Sequence, residues 1–368
     1  MNCPSCGSTD INFETRTCRN CGDSIDAAPR PVLAAAEREE AALLQDVEDA
    51  TELMELAATE EEKQIAYEAW EERVFQYYEK GFRIVTLIGF SGAGKTFLAH
   101  RLRRELSDDW TVLPPHADVI RGTDITIEWT QLVSKTDEPR RRVLADCDGE
   151  AFRLAIEALM NGRDIDPKMR RSIVITALAS AYMLMLPADE LMDRSKYKLT
   201  NRLIERFDMI VKAILALQRI VQRSRSVREA LHEGLKLESI AEALQYEFRC
   251  QQPIHVLFAQ ADKMPANHQH EDDPHMYALA HARTLYRTIE SHFTNFRFDF
   301  CCAFEGHNAN NAFEVDYNLP SYGTVAAFNW IDDMLEASPR DRRRTAMAMK
   351  IRRLFDPTFR KMSARVSG

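Results

Sequence analysis

Apolar residues along the chain fall into two patterns, short continuous runs and longer stretches in which they recur every three or four positions. The first short run, Ile84-Val85-Thr86-Leu87-Ile88, predicts a buried strand. Further strands are expected just after Thr123, where Ile125, Ile127 and Trp129 alternate, and at 142–146, 182–186, 254–263 and 296–304. Helical spacing appears in Leu98, Leu102 and Leu106, and again over 325–335. Leu203, Phe207, Ile210, Ile214, Leu217 and Val221 predict a long helix that, with a second from about 227 to 248, makes a helical hairpin laid against the sheet. Strands interleaved with helices predict an α/β fold, a sheet flanked by helices with a helical insertion at about 195–250.

The segment before this sheet is also helical in pattern. Leu43, Val47, Ala50, Met54 and Ala57 form one stripe and Tyr67, Trp70, Val74 and Tyr77 a second. The charged break at Glu60-Glu61-Glu62-Lys63 divides them into two helices. The aromatic face is expected to pack on the domain that follows, with a homotypic coiled-coil contact as the competing arrangement.

Charge changes the picture, because the formal net charge of −9 is unevenly spread. Residues 37–80 hold 15 acidic against 4 basic side chains, a balance of −11, and residues 340–365 hold 10 basic against 2 acidic, a balance of +8. The basic tail suits nucleic acid, a membrane surface or the acidic segment of the same chain. The longest uncharged stretch, 172–188, contains Thr176, Ser180, Tyr182 and Pro187 and falls short of the ~20 apolar residues of a spanning helix. With no basic and apolar run at the start, the expected location is the cytoplasm.

The chemistry concentrates after the first strand, where Gly89-Phe90-Ser91-Gly92-Ala93-Gly94-Lys95-Thr96 completes the pattern G-x-x-x-x-G-K-[ST]. A strand that turns sharply here lets successive backbone N–H groups surround a diphosphate, and side chains at Gly89, Gly92 and Gly94 would block that approach. Ser91, Ala93 and Phe97 belong to the same cradle. Lys95 brings a point charge to the β- and γ-phosphates, and the Thr96 hydroxyl is placed for Mg²⁺ in the first turn of the next helix. A strand ending at Asp146, followed by Asp148-Gly149-Glu150, supplies a carboxylate for the water shell of Mg²⁺ and a glycine N–H for the γ-phosphate.

At the other end, Cys3-Pro4-Ser5-Cys6-Gly7 and Cys18-Arg19-Asn20-Cys21-Gly22 are two C-x-x-C-G knuckles. Cys3, Cys6, Cys18 and Cys21 have the spacing of a tetrahedral Zn²⁺ site, and so short a segment has too little core to fold without the metal. Cys147, Cys250, Cys301 and Cys302 show no such spacing. The expected organisation is a zinc ribbon over 1–26, an acidic helical linker over 27–81, a nucleotide-binding domain over 82–338 and a basic helical tail over 339–368.

Taken in order, the phosphate loop, Gly122-Thr123, Asp146-x-x-Gly149, Asp262-Lys263 and Cys302-Ala303-Phe304 resemble the Ras-like GTPase domain of the TRAFAC class of P-loop NTPases, over about residues 82–337. An N-terminal zinc ribbon joined to such a domain is similar to bacterial GTPases associated with conflict systems. The resemblance implies GTP or GDP with Mg²⁺. Thr123 would join Mg²⁺ and the γ-phosphate, Asp146 and Gly149 would form the second switch, and Glu150 would occupy the place of a water-orienting glutamine. Asp262 would accept hydrogen bonds from guanine, and Ala303 would offer its N–H to the guanine oxygen. The chain departs from the family at Ala259-Gln260-Ala261-Asp262, where only the aspartate of the base-recognition motif remains, and at Glu150, whose carboxylate adds repulsion beside the γ-phosphate.

Three functions are consistent with these residues. One is a switch whose nucleotide state controls a protein partner through the switch segments, the helical insertion or the acidic linker. Another is a P-loop kinase or ATPase, although the Leu-Ser-Gly-Gly-Gln signature of transporter ATPases is missing from the chain. The last is a module with a structural nucleotide, whose ribbon and basic tail bind nucleic acid or protein.

Overall fold

The computed structural model describes residues 57–113, 119–120, 129–136, 138–161, 163, 165–192, 197–232, 248–264, 273–306, 315–316, 318–338 and 341–342. It also describes the strand pairs Ile11–Asn12 and Thr17–Cys18, and helical positions between 42 and 56.

Seven strands of the described residues form one sheet: β1 (Arg83–Gly89), β2 (Trp110–Leu113), β3 (Trp129–Ser134), β4 (Arg141–Asp148), β5 (Ala179–Pro187), β6 (Ile254–Ala259) and β7 (Phe296–Phe300). Their order is β7-β6-β5-β1-β4-β3-β2. The five strands from β7 to β4 run parallel, and β3 and β2 complete the sheet antiparallel. Side chains of β1 alternate between faces, as the pleat requires. Ile84 and Ile88 enter the core on one side, Val85 and Leu87 the core on the other.

Helices α2 (Lys95–Glu105) and α8 (Thr324–Glu336) cover the second face through Leu98, Leu102, Phe328 and Ile331. The first face carries α1 (Glu60–Glu79), α3 (Gly149–Met160), α4 (Pro167–Leu178), α5 (Tyr197–Arg223), α6 (Pro274–His281) and α7 (Arg283–His292). A mixed seven-stranded sheet with helices on both faces fits an α/β P-loop NTPase-like fold. Because α2 and α3 leave opposite faces after the adjacent strands β1 and β4, the carboxyl end of β1 lies at a crevice suited to ligands.

Some elements begin elsewhere than the spacing suggested. The uncharged stretch at 172–188 is the second half of α4 running straight into β5. Neither half is long enough to span a membrane, and no described helix is long and apolar enough to do so. Asp148 is both the last residue of β4 and the cap of α3. Its carboxylate caps α3 by accepting from the N–H groups of Glu150 and Ala151, at 2.9 and 3.2 Å, so the chain passes directly from strand to helix. The strand expected after Thr123 is seen over Trp129–Ser134, and 121–128 lie outside the described residues.

The acidic linker breaks where its charges cluster. Thr59 and Glu62 form a reciprocal capping box at the start of α1. The aromatic face of α1 packs inward: Trp70 meets Trp129 edge-on at 6.3 Å, and Tyr77 stacks on Trp129 at 6.1 Å and meets Phe82 at 5.0 Å. The Tyr77 hydroxyl donates to Gln131 Oε1 on β3 at 3.0 Å. Tyr77 and Trp70 are fully buried, so α1 belongs to the core of the sheet domain. Leu43, Val47 and Ala50 join the same core; Met54 lies outside the described residues.

Removing Trp70 should therefore unfold more than a linker. Trp70→Ala is expected to cost about 3–5 kcal/mol, the range for truncating a buried aromatic. Urea denaturation followed by near-ultraviolet circular dichroism would show one transition shifted as a whole.

Candidate functional site

β1 ends at Gly89 with other backbones pressed against it. A Cβ on Gly89 would lie 3.0 Å from the Met185 carbonyl of β5, and one on Gly149 would lie 3.2 Å from the Gly89 carbonyl. Gly92 and Gly94 take φ of +81° and +87°, which side chains rarely adopt. Gly94 starts α2 with no side-chain cap, so the first N–H groups of this helix are left to the loop it faces. Ala93 is buried, whereas Ser91 stands exposed on the rim.

Lys95 reaches back along its own loop and donates to the carbonyls of Gly89 and Phe90 at 2.9 and 3.3 Å. Its Nζ lies 3.7 Å from Asp146 Oδ1, an ion-pair distance too long for a hydrogen bond. That oxygen is buried and has no hydrogen-bond partner among the described residues. Burial pushes the Asp146 carboxyl up to about 6, against the opposing pull of Lys95 and with a smaller push from Asp148. A buried carboxylate oxygen with an unused lone pair, on the strand beside β1, together with the Thr96 hydroxyl in the first turn of α2, is a hard donor set that fits Mg²⁺.

Glu150 sits in a different field. Its carboxylate pairs with Arg153 at 2.8 Å and with Arg206 of α5, and these partners hold its pKa below the usual range, Arg153 foremost. The Arg206 guanidinium also lies 4.4 Å above the ring of Phe90, and Phe207 meets Phe90 edge-on at 4.6 Å. One turn of the long helix thus packs on the phosphate loop and on the residue after Gly149.

A cavity of about 250 Å³ opens at the carboxyl ends of β5, β6 and β7. Gly92, Gly94 and Phe97 form one wall, and Asp262, Lys263 and residues 301–304 form the other. Phe97 and Phe304 approach edge-on at 5.9 Å, and Ala303 lies between the cysteines and Phe304. Asp262 is held by the Cys302 thiol, which donates at 3.1 Å, and by the Gly306 N–H at 3.0 Å. Burial pushes that thiol up to about 12, so it remains a donor at neutral pH.

The fold therefore gathers Lys95 with Asp146, Gly89 with Gly149, and the phosphate loop with Asp262 and Ala303. Thr123, Cys3, Cys6 and Cys21 lie outside the described residues, as does most of the basic tail. Of the zinc-ligand candidates, Cys18 is described in a two-residue strand, paired with Ile11. Sequence reasoning gave Met185, Gln260, Cys302 and Arg206 no role of their own. Arg206 falls on the polar side of a core helix, where its sequence neighbours give no sign of what it meets.

No protein family matches the sequence, and no curated protein matches it. Among solved structures, a GTP-binding protein from the hyperthermophilic archaeon Sulfolobus solfataricus, in complex with GDP, is similar at 11% identity and a TM-score of 0.27, over 71% of this chain and 61% of that one. Two mutation variants of SsGBP, each at 14% identity and a TM-score of 0.28, are covered over 62% and 61% of their length. The chain thus spans less than two thirds of these proteins, and at that overlap the likeness adds nothing to the sheet order.

The raised Asp146 pKa has a definite sign for stability. A carboxyl whose folded pKa lies above its ordinary value of 3.8 makes the native state bind more protons, so its contribution falls as pH rises from 3.8 to about 6. Asp146→Asn should raise the melting temperature at pH 7 and flatten its pH dependence across that window, as scanning calorimetry would record.

Proposed function

We propose that this chain is a guanine-nucleotide-binding protein of the P-loop class that takes GDP or GTP with Mg²⁺ and hydrolyses GTP slowly. The observation that carries this reading is the cavity that joins the phosphate loop to Asp262 and Ala303. The two walls lie far apart in sequence, yet together they offer what the two ends of such a ligand require. Uncapped N–H groups and Lys95 suit a diphosphate, while a carboxylate beside an aromatic and apolar wall suits an oxo-purine with donors on one edge.

Within this reading Thr96 and Asp146 would hold Mg²⁺, with Thr123 as a further ligand in the triphosphate state. When bound, the ion would neutralise developing phosphate charge. Lys95 exchanges its backbone carbonyl partners for phosphate oxygens. The Gly149 N–H meets the γ-phosphate, and the segments around Thr123 and Gly149 respond to its loss, which makes the domain a switch. Glu150 orients water poorly while Arg153 and Arg206 hold its carboxylate, and slow turnover follows. The same pairing favours, as a second reading, a module that retains its nucleotide while other segments do the binding.

The ribbon cysteines Cys3, Cys6, Cys18 and Cys21 are assigned one Zn²⁺, and the short strand pair that runs into the second knuckle suits that assignment. Ribbon and basic tail then present surfaces for nucleic acid or protein, and α5, touching both Phe90 and Glu150, is the route by which the nucleotide state reaches a partner.

Two outcomes test these assignments. Purified chain should release phosphate from GTP in a Mg²⁺-dependent reaction that Lys95→Ala abolishes; transfer of the phosphate to an added acceptor, with little to water, would turn the reading toward a kinase. Elemental analysis should find one zinc per chain, lost in Cys18→Ser; a full complement in that variant would remove the ribbon assignment.

A further inference from the structure

Gln260 is the one non-glycine residue with positive φ among the described residues, at +55°. Left-handed backbone is strained for a residue with a side chain, and such strain persists where neighbouring structure requires it. Its side chain, one of those lining the cavity, links Lys263 to Gly92. Nε2 donates to the Gly92 carbonyl at 2.6 Å, and Oε1 accepts from Lys263 Nζ at 2.6 Å. A carbonyl can only accept and an ammonium can only donate, so the two partners fix which way the amide points. Both Gln260 and Lys263 line the cavity, as does Gly92.

This arrangement runs from a cation, through an amide, to the carbonyl of a phosphate-loop glycine. It also ties the wall bearing Asp262 to the wall bearing the uncapped start of α2. A ligand reaching only one wall gains nothing from that tie, whereas a ligand touching both has its two subsites held at fixed spacing.

Resting on the guanine-nucleotide reading, we propose that Lys263 and Gln260 form a clasp. Its role is positioning: it holds the base end of the cavity against the phosphate loop, so that a nucleoside diphosphate is favoured over a bare diphosphate. The strained backbone at Gln260 is what points the amide across the gap.

Titration calorimetry of the full chain with Mg²⁺·GDP and with Mg²⁺·pyrophosphate, alongside thermal melting, separates this role from a structural one. Gln260→Gly removes the side chain and relieves the left-handed strain, so its melting temperature should equal or exceed that of the parent. Its GDP affinity should fall about tenfold, the equivalent of one charge-linked hydrogen bond, with pyrophosphate affinity unchanged. The exchange Gln260→Lys with Lys263→Gln keeps a donor facing Gly92 and should restore GDP binding to within about threefold. If Gln260→Gly binds GDP as tightly as the parent, or loses affinity only together with thermal stability, or if the exchange fails to restore binding, the clasp is wrong and nucleotide binding stands. A parent chain that binds no GDP overturns both.

Discussion

The close approach of backbones at the end of β1 is the constraint on which the rest of the site depends. Gly89 lies against Met185 of β5 and against Gly149 at the start of α3, where a Cβ on either glycine would come within 3.0–3.2 Å of backbone atoms. The loop after Gly89 must therefore turn at once through the positive φ values of Gly92 and Gly94. That turn starts α2 over the crevice and brings Lys95 beside Asp146. The same convergence sets β5 and β6 next to the loop, so that the residues after β6 close the far side of the cavity.

Charge is distributed around this convergence according to burial. Asp146 is desolvated and keeps a pKa of about 6, an unfavourable arrangement that a protein selected for stability alone would lose. Glu150, more exposed, is neutralised by two arginines, one of them from α5. Two carboxylates near the same loop thus sit in different fields, one desolvated with an oxygen that accepts no hydrogen bond among the described residues and the other paired with arginines. Lys263 is engaged as well, through Gln260, in holding the cavity together.

Much of this was legible in the sequence because its chemistry is local. The phosphate loop, its lysine and the strand before it are one contiguous stretch whose glycines need no tertiary context to interpret. The order of motifs singled out Asp262 even though its neighbours had changed, and the residue lines the cavity. What stayed hidden depends on contacts between distant segments. Gly149 looks like the glycine of a turn, and only the capping carboxylate of Asp148 makes it the start of a helix. Arg206 looks solvated until α5 is laid against Phe90. Gln260 reads as the loss of a lysine, whereas its left-handed backbone and bond to Gly92 give it a partner that sequence spacing cannot supply.

The central claim is that the cavity between the phosphate loop and Asp262 takes a guanine base. Its most direct test is calorimetric titration of nucleotide-stripped chain with GDP and ADP, each with Mg²⁺, repeated on Asp262→Ala. The account predicts a clear preference for GDP that this substitution erases. Equal or tighter binding of ADP, indifferent to Asp262, would contradict it.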